Sequence, residues 1–343
     1  KMSEDSTAQL TEDEAKLYDR QIRLWGVDSQ KSIRNAKILI ISMNGVGAEV
    51  AKNIILSGVK AVTFMDDAVA SEEDSFSQFL IPCDKIGSNR AVASVERSKA
   101  LNPLVTVRAI SNSATSINED DLQIYDVVIA VEQDTETITR LDTICRKNNI
   151  KFFSTDVFGM FGYYFSDLQH HEYIISVKKE LSQANTVLTE VPKLGKNRVN
   201  ETTEKLTRVE NFPSFKEAFD VDFTTEENKP LLHRMEPSYL LFRILMKFRR
   251  ELKRYPTDSE EDFKFLSKLR DEELDGLSYS TNRLSDDLLR SCLGFPVSPV
   301  CAIIGAMVAQ EVIKAVSHKD HPNKNMFFFN PLTNVGHVQF LSA

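Results

Sequence analysis

The stretch Ile38-Leu39-Ile40-Ile41-Ser42-Met43-Asn44-Gly45-Val46-Gly47-Ala48-Glu49 constrains the fold of this chain more than any other. Its opening apolar run reads as a buried strand, the glycines as a tight turn, and the residues beyond them as a helix start. In a phosphate-binding turn, glycine is required wherever backbone N–H groups approach phosphate oxygens with no Cβ between. Gly45 and Gly47 meet part of that requirement, but Ser42 and Asn44 stand where a tighter cradle carries glycine. Counted as G-x-G-x-x-G from Gly45, the third place is Val50. The turn therefore predicts a nucleotide-binding architecture that does not hold its own nucleotide.

Strand and helix then alternate. Strands are predicted over 37–41, 61–65, 105–110, 126–131 and from 151, with helices near 47–56, 88–101 and 134–148. This is a βαβ series: an α/β, Rossmann-like fold with a mostly parallel sheet and helices on both faces. Upstream, Thr11 and Glu14 form a capping box for a helix running to about Trp25. Ala15, Tyr18, Ile22 and Trp25 share one face of it, and at ~100° per residue Arg20 falls on the opposite side. Periodicity alone favours a solvated surface arginine at Arg20, by about two to one.

Past Gly162 the pattern changes. Antiparallel strands are predicted over 163–165 and 173–177, followed by a polar, charged stretch to about 229 with little periodicity. Its basic residues cluster around Lys193, Lys196 and Arg198, and it reads as a partly disordered insertion. A strong helix at 237–253, a charged helical stretch at 259–275 and a helix at 299–316 follow. The last carries Ala302, Gly305, Ala306 and Ala309, a small-residue stripe that permits close packing. Strands 326–329 and 337–341 close the chain. The expected organisation is a core with its N-terminal helix over 1–177, an insertion over 178–235, and a helical return to the same discontinuous domain over 236–343.

The net charge of -8 argues against a nucleic-acid partner. No run is expected to reach the roughly 18 apolar residues of a membrane span, and the polar residues 1–9 carry no secretory signal. Cys83, Cys145, Cys292 and Cys301 are scattered, never in C-x-x-C spacing, which argues against a zinc site and a disulfide framework. Cys83, Cys145 and Cys301 are expected to be core thiols, and the protein one of a reducing compartment.

Several motifs together resemble the ubiquitin-like-protein activating enzymes, which adenylate the C-terminus of a small modifier. They are Tyr18-Asp19-Arg20-Gln21-Ile22-Arg23-Leu24-Trp25-Gly26, the turn from Asn44 to Asn53, Gln78-Phe79-Leu80, and Ile86-Gly87-Ser88-Asn89-Arg90-Ala91. Asn102-Pro103, Asp156-Val157-Phe158-Gly159 and Pro299-Val300-Cys301-Ala302 with Gln310-Glu311 continue the likeness. Within that family the chain is most similar to the non-catalytic, Aos-type half of the SUMO-activating heterodimer. The neddylation-type regulatory subunit shares the opening motif but has a longer chain.

The resemblance implies a ThiF-type adenylation fold with a degenerate site made of Gly45, Gly47, Asp66 and Arg90. Asp66 matches the family's ribose-binding acid. Ser75 and Ser77 stand where an Asn and an Arg belong, Arg90 replaces a Lys, and Gln133 replaces the metal-binding Asp beside Asp134. No metal is then expected on this chain, and Mg-ATP would be bound mainly by a catalytic, Uba-type partner that also forms the thioester with SUMO. Arg20 is implied to act in trans on the phosphates in that partner's site, with Arg23 a structural ion pair. The helix 299–316 and Phe327-Phe328-Phe329 are candidates for the partner interface, and the family implies a nuclear location with some cytoplasmic. Alternative readings are a homodimeric sulfur-carrier-type adenylyltransferase, a nicotinamide oxidoreductase and a pure scaffold.

Overall fold

Strand β1 (Lys37–Ile41) is apolar along its length because it is covered on both sides. Ile38 and Ile40 enter one hydrophobic core, Leu39 and Ile41 another. The computed structural model describes residues 10–179, 202–275, 277, 279 and 281–342. The other strands are β2 (Ala61–Met65), β3 (Thr106–Ile110), β4 (Val127–Val131), β5 (Lys151–Phe158), β6 (Phe161–Asp167), β7 (His170–Lys179), β8 (Thr202–Asn211), β9 (Met326–Asn330) and β10 (Val335–Gln339). Eight of them form one sheet in the order β10-β9-β6-β5-β4-β1-β2-β3. The pairs from β3 across to β5 are parallel; β6, β9 and β10 extend the sheet antiparallel. Strand order reverses between β1 and β4, which opens a crevice at their carboxyl ends.

Helices Val27–Asn35, Gly45–Ser57, Arg90–Leu101 and Ser298–Ser317 cover one face. Thr135–Lys147, Ser238–Leu252 and Glu260–Leu274 cover the other. The small-residue stripe works as expected at Gly305, where a Cβ would lie 2.5 Å from Glu49 Cβ and 3.0 Å from the Val50 nitrogen. Ala309 is buried beside it, whereas Ala306 is exposed. The expectation that no segment could span a membrane needs correction. Ser298–Ser317 is long and apolar enough by length and composition, with a mean hydropathy of 1.7. Half of that window is buried in the fold, against Gly45–Ser57 and the sheet, which is the setting of a core helix.

Other expectations also change. The opening helix breaks at Tyr18 into Glu12–Leu17 and Asp19–Trp25, because Tyr18 leaves helical geometry (φ -99, ψ 15) to bury its ring. Ala15 is exposed, and Ile22 and Trp25 are only half-buried. Of the stretch read as a polar insertion, residues 180–201 lie outside the described residues. The remainder is structured: β8 pairs with β7 as a separate hairpin, and Phe212, Phe215, Val221, Phe223 and Leu232 are buried. Phe327, Phe328 and Phe329 are core residues of β9, between β6 and β10, and offer no surface to a partner.

Gly305→Val is expected to destabilise the fold by about 1–3 kcal/mol, because the facing backbone cannot yield. In urea denaturation the midpoint should fall with an unchanged slope. A variant as stable as the parent would contradict the close helix crossing.

Candidate functional site

Three strands deliver three polar residues to the crevice mouth: Ser42 after β1, Asp66 after β2 and Glu132 after β4. The cavity there measures about 260 Å³. Ser42 (φ 71) and Glu132 (φ 60) both hold the left-handed conformation that favours glycine, a strain on the order of 1 kcal/mol each. What they gain is a shared cation. Arg90, at the start of the Arg90–Leu101 helix, donates from Nε to Asp66 Oδ2 at 2.9 Å and from Nη2 to Glu132 Oε2 and Ser42 Oγ, each at 3.0 Å. Its Nη1 reaches Asp74 at 3.4 Å, and Ser42 Oγ donates to Glu132 Oε2 at 2.8 Å.

The same cation has opposite outcomes on its two nearest carboxyls. Burial raises Asp66 above its ordinary value, against the opposing pull of Arg90 and the N–H groups of Met43 and Ala68. Burial would raise Glu132 too, but Arg90, Arg249 and the Ser42 hydroxyl outweigh it and hold that carboxyl below the usual range. Arg90 stays fully charged: its carboxylates outweigh the cost of burial.

The glycine turn is satisfied from within the chain. Asn44 Oδ1 accepts the N–H groups of Val46 and Gly47, each at 3.0 Å, and caps the Gly45–Ser57 helix. Its Nδ2 donates to the Tyr255 hydroxyl at 3.0 Å, which in turn donates to Asp156 Oδ1 at 2.8 Å. Arg249 pairs with Asp156 and lies over the rings of Tyr255 (4.4 Å) and Phe158 (4.7 Å). Burial outweighs that pairing and pushes the Asp156 carboxyl up to about 6. The glycines serve the chain's own atoms. A Cβ at Gly45 would lie 2.2 Å from Ser77 Oγ, and one at Gly47 would lie 2.4 Å from the Ser42 carbonyl oxygen.

The remaining predicted positions are engaged locally. Asp66 accepts the Met43 N–H at 2.7 Å and the Ala68 N–H at 2.9 Å, tying the glycine turn to the end of β2. Ser75 donates to the Glu72 carbonyl and Gln133 to the Val131 carbonyl. Asp134 caps the Thr135–Lys147 helix and pairs with Lys253 at 2.5 Å. Its carboxyl sits below the ordinary value: hydrogen bonds from Lys253 and Thr137 outweigh its burial. The turn's N–H groups of Val46 and Gly47, the space over its glycines and the Arg90 guanidinium are all engaged by the chain's own residues.

Gly45, Gly47, Asp66 and Arg90 thus come together, and Arg20 does not join them. Arg20 is exposed, does not line the crevice, and has no hydrogen bond or ion pair among the described residues. Arg23 pairs with Asp19 one turn away at 3.0 Å, both exposed. Cys83 corrects another expectation: it is exposed in the Cys83–Lys85 turn after Pro82, away from the core. Cys145, Cys292 and Cys301 are buried, and burial pushes the thiols of Cys292 and Cys301 up to about 12. Sequence reasoning singled out Asp156 only as part of a motif and missed Glu132, Arg249 and Tyr255. Only Glu132 had a local signal, its place at the end of an apolar strand.

A five-stranded parallel sheet with an antiparallel extension and a glycine turn at its switch point defines the class: a doubly wound, Rossmann-like α/β fold. The chain belongs to the ThiF family, which matches residues 18–342. It is 39% identical to SUMO-activating enzyme subunit 1 of Xenopus tropicalis over 347 residues, covering 100% of both chains. The subunit 1 proteins of Danio rerio and Homo sapiens are likewise 39% identical, covering 97% and 98% of each chain. Among solved structures, selenomethionine PaaA superposes with a TM-score of 0.56 at 13% identity, over 96% of this chain and 84% of that one. E. coli MccB crystallised with succinimide gives 0.54 at 12% identity, over 95% and 72%. These likenesses carry the fold alone.

The two carboxyls predict opposite responses to acid. Glu132, held low, contributes stability above its ordinary value of about 4.5 and loses it as pH falls through its folded value. Asp66, held high, contributes the reverse: stability rises as it takes up its proton. Denaturation measured from about pH 5 to pH 3 should therefore show a shallower acid loss for Glu132→Gln than for the parent, and a steeper one for Asp66→Asn. Identical slopes in all three would contradict the charge assignment.

Proposed function

We infer that this chain is the subunit 1 half of a heterodimeric SUMO-activating enzyme, and that it completes a partner's active site in place of running one of its own. Full-length kinship to SUMO-activating enzyme subunit 1 supports the first part. The second rests on one observation: the N–H groups of the glycine turn, the space over Gly45 and the Arg90 guanidinium are engaged by Asn44, Ser77, Asp66 and Glu132 of the chain itself.

The catalytic partner, of Uba type, binds Mg-ATP, which supplies the acyl-adenylate chemistry at the modifier's C-terminal carboxylate. This chain contributes the Asp19–Trp25 helix. Arg20 on that helix is exposed and has no hydrogen bond or ion pair among the described residues. A guanidinium is suited to the charge that accumulates on departing pyrophosphate, because its planar donors match phosphate oxygens. The partner meets this chain along the opening helix and the adjoining groove lined by Leu24, Trp25, Leu56, Ala306 and Ile313. Leu24 is 73% exposed there, an apolar side chain suited to an obligate interface. The complex acts in the nucleus, with some in the cytoplasm, a placement that follows from the family resemblance.

A homodimeric sulfur-carrier-type adenylyltransferase would need a complete site in each copy, and the engagement of the turn and Arg90 by the chain's own residues speaks against it.

ATP–pyrophosphate exchange driven by SUMO should be silent with this chain alone and strong once the catalytic subunit is added. In the assembled complex, Arg20→Ala should lower the exchange rate on the order of a hundredfold or more. An unchanged rate with the heterodimer intact would overturn the role of Arg20.

A further inference from the structure

The helix that carries Arg20 is only lightly packed, chiefly through Trp25 against the core. Asp19–Trp25 contains no buried residue, so its apolar contact is confined to the half-buried Ile22 and Trp25. Its polar attachment is made mainly to the carboxyl end of the Gly45–Ser57 helix, and Lys319 Nζ also donates to its Leu24 carbonyl at 3.3 Å.

The last carbonyls of any helix lack intrahelical partners. Here Ile55, Leu56 and Ser57 each receive a side-chain amide. Asn102 Nδ2 donates to the Ile55 carbonyl at 2.9 Å, Gln21 Nε2 to that of Leu56 at 3.1 Å, and Gln30 Nε2 to that of Ser57 at 3.0 Å. Asn102 Nδ2 also donates to the Tyr18 hydroxyl at 2.8 Å, while its Oδ1 accepts the Leu104 N–H, which fixes which way the amide faces. Trp25 Nε1 donates to Gln30 Oε1 at 3.0 Å. The Tyr18 ring lies over Gly58, the left-handed cap of the helix (φ 84), where a Cβ would come within 2.4 Å of Cζ. Gln21 is held for what its nitrogen donates, since its Oε1 is buried with no partner among the described residues.

We propose that Tyr18, Gln21 and Asn102 are positioning residues that set the reach of Arg20 into the partner's site. The proposal rests on the reading of Arg20 as acting in trans. Directional hydrogen bonds fix the rotation and axis of a helix, which an apolar contact does not. Arg20 lies two residues beyond the Tyr18 break and one before Gln21, between two of the attachment points. Its guanidinium acts through charge at a distance, and rate is sensitive to displacements of about 1 Å.

The test uses the assembled heterodimer with its catalytic subunit. Tyr18→Phe keeps the ring over Gly58 and removes only the hydroxyl; Gln21→Ala removes one partly exposed amide. Each should lower kcat for SUMO-driven exchange by about three- to tenfold, with KM for the modifier and heterodimer assembly unchanged. In an Arg20→Ala background neither should cause further loss, since they act through that side chain. Equal losses in both backgrounds, or unchanged single-variant rates, overturn the anchor while leaving the role of Arg20 standing. An Arg20→Ala complex with full activity overturns the underlying reading, and the anchor with it.

Discussion

The helix Gly45–Ser57 is a dipole whose two ends are both neutralised by the chain that contains it. At the amino end Asn44 takes the N–H groups that a phosphate would otherwise receive, and Ser77 occupies the space that Gly45 leaves open. At the carboxyl end, amides of Asn102, Gln21 and Gln30 take the terminal carbonyls. The orphan donors and acceptors of a helix have to be satisfied by something. In a nucleotide-binding member of such a fold the ligand does part of that work. Here the amino end is closed by side chains, and the carboxyl end becomes the mount for the opening segment.

The charge around the switch point follows from the same closure. A guanidinium buried among Asp66, Asp74 and Glu132 is stable only while they remain paired with it, because an isolated buried charge is costly. Arg90 therefore has little freedom to turn toward a triphosphate, and an incoming polyanion would meet carboxylates already in place. Two left-handed non-glycine residues, Ser42 and Glu132, are tolerated for the sake of this cluster. Arg249 and Tyr255 close the same crevice from the far end of the Ser238–Leu252 helix and the turn after it.

Much of this was legible in the sequence where the signal is local. The apolar runs of β1 and β4, the capping box at Thr11, the glycine turn and the small-residue stripe at Gly305 each report on residues within one or two turns of themselves. Where the sequence misled, the cause was long-range or a cancelled pattern. Tyr255 meets Asn44 across 211 positions, and no periodicity reports such a contact. Strand β8, with Glu204, Lys205, Arg208 and Glu210 along it, carries charge on both faces of an exposed hairpin, so the alternation that announces a strand is missing. The opening helix read as one amphipathic segment because Tyr18 and Ile22 are correctly spaced. Its break at Tyr18 depends on the cap at Gly58 and on Asn102, which are remote in sequence.

Equilibrium dialysis of labelled Mg-ATP, first against this chain alone and then against its complex with the catalytic subunit, tests the account most directly. A glycine turn and a guanidinium already engaged by the chain's own residues predict no bound nucleotide on the isolated chain and one nucleotide per heterodimer. One nucleotide on the isolated chain and two on the complex would mean that Arg90, Asn44 and Tyr255 yield to a ligand, and the central claim would fall.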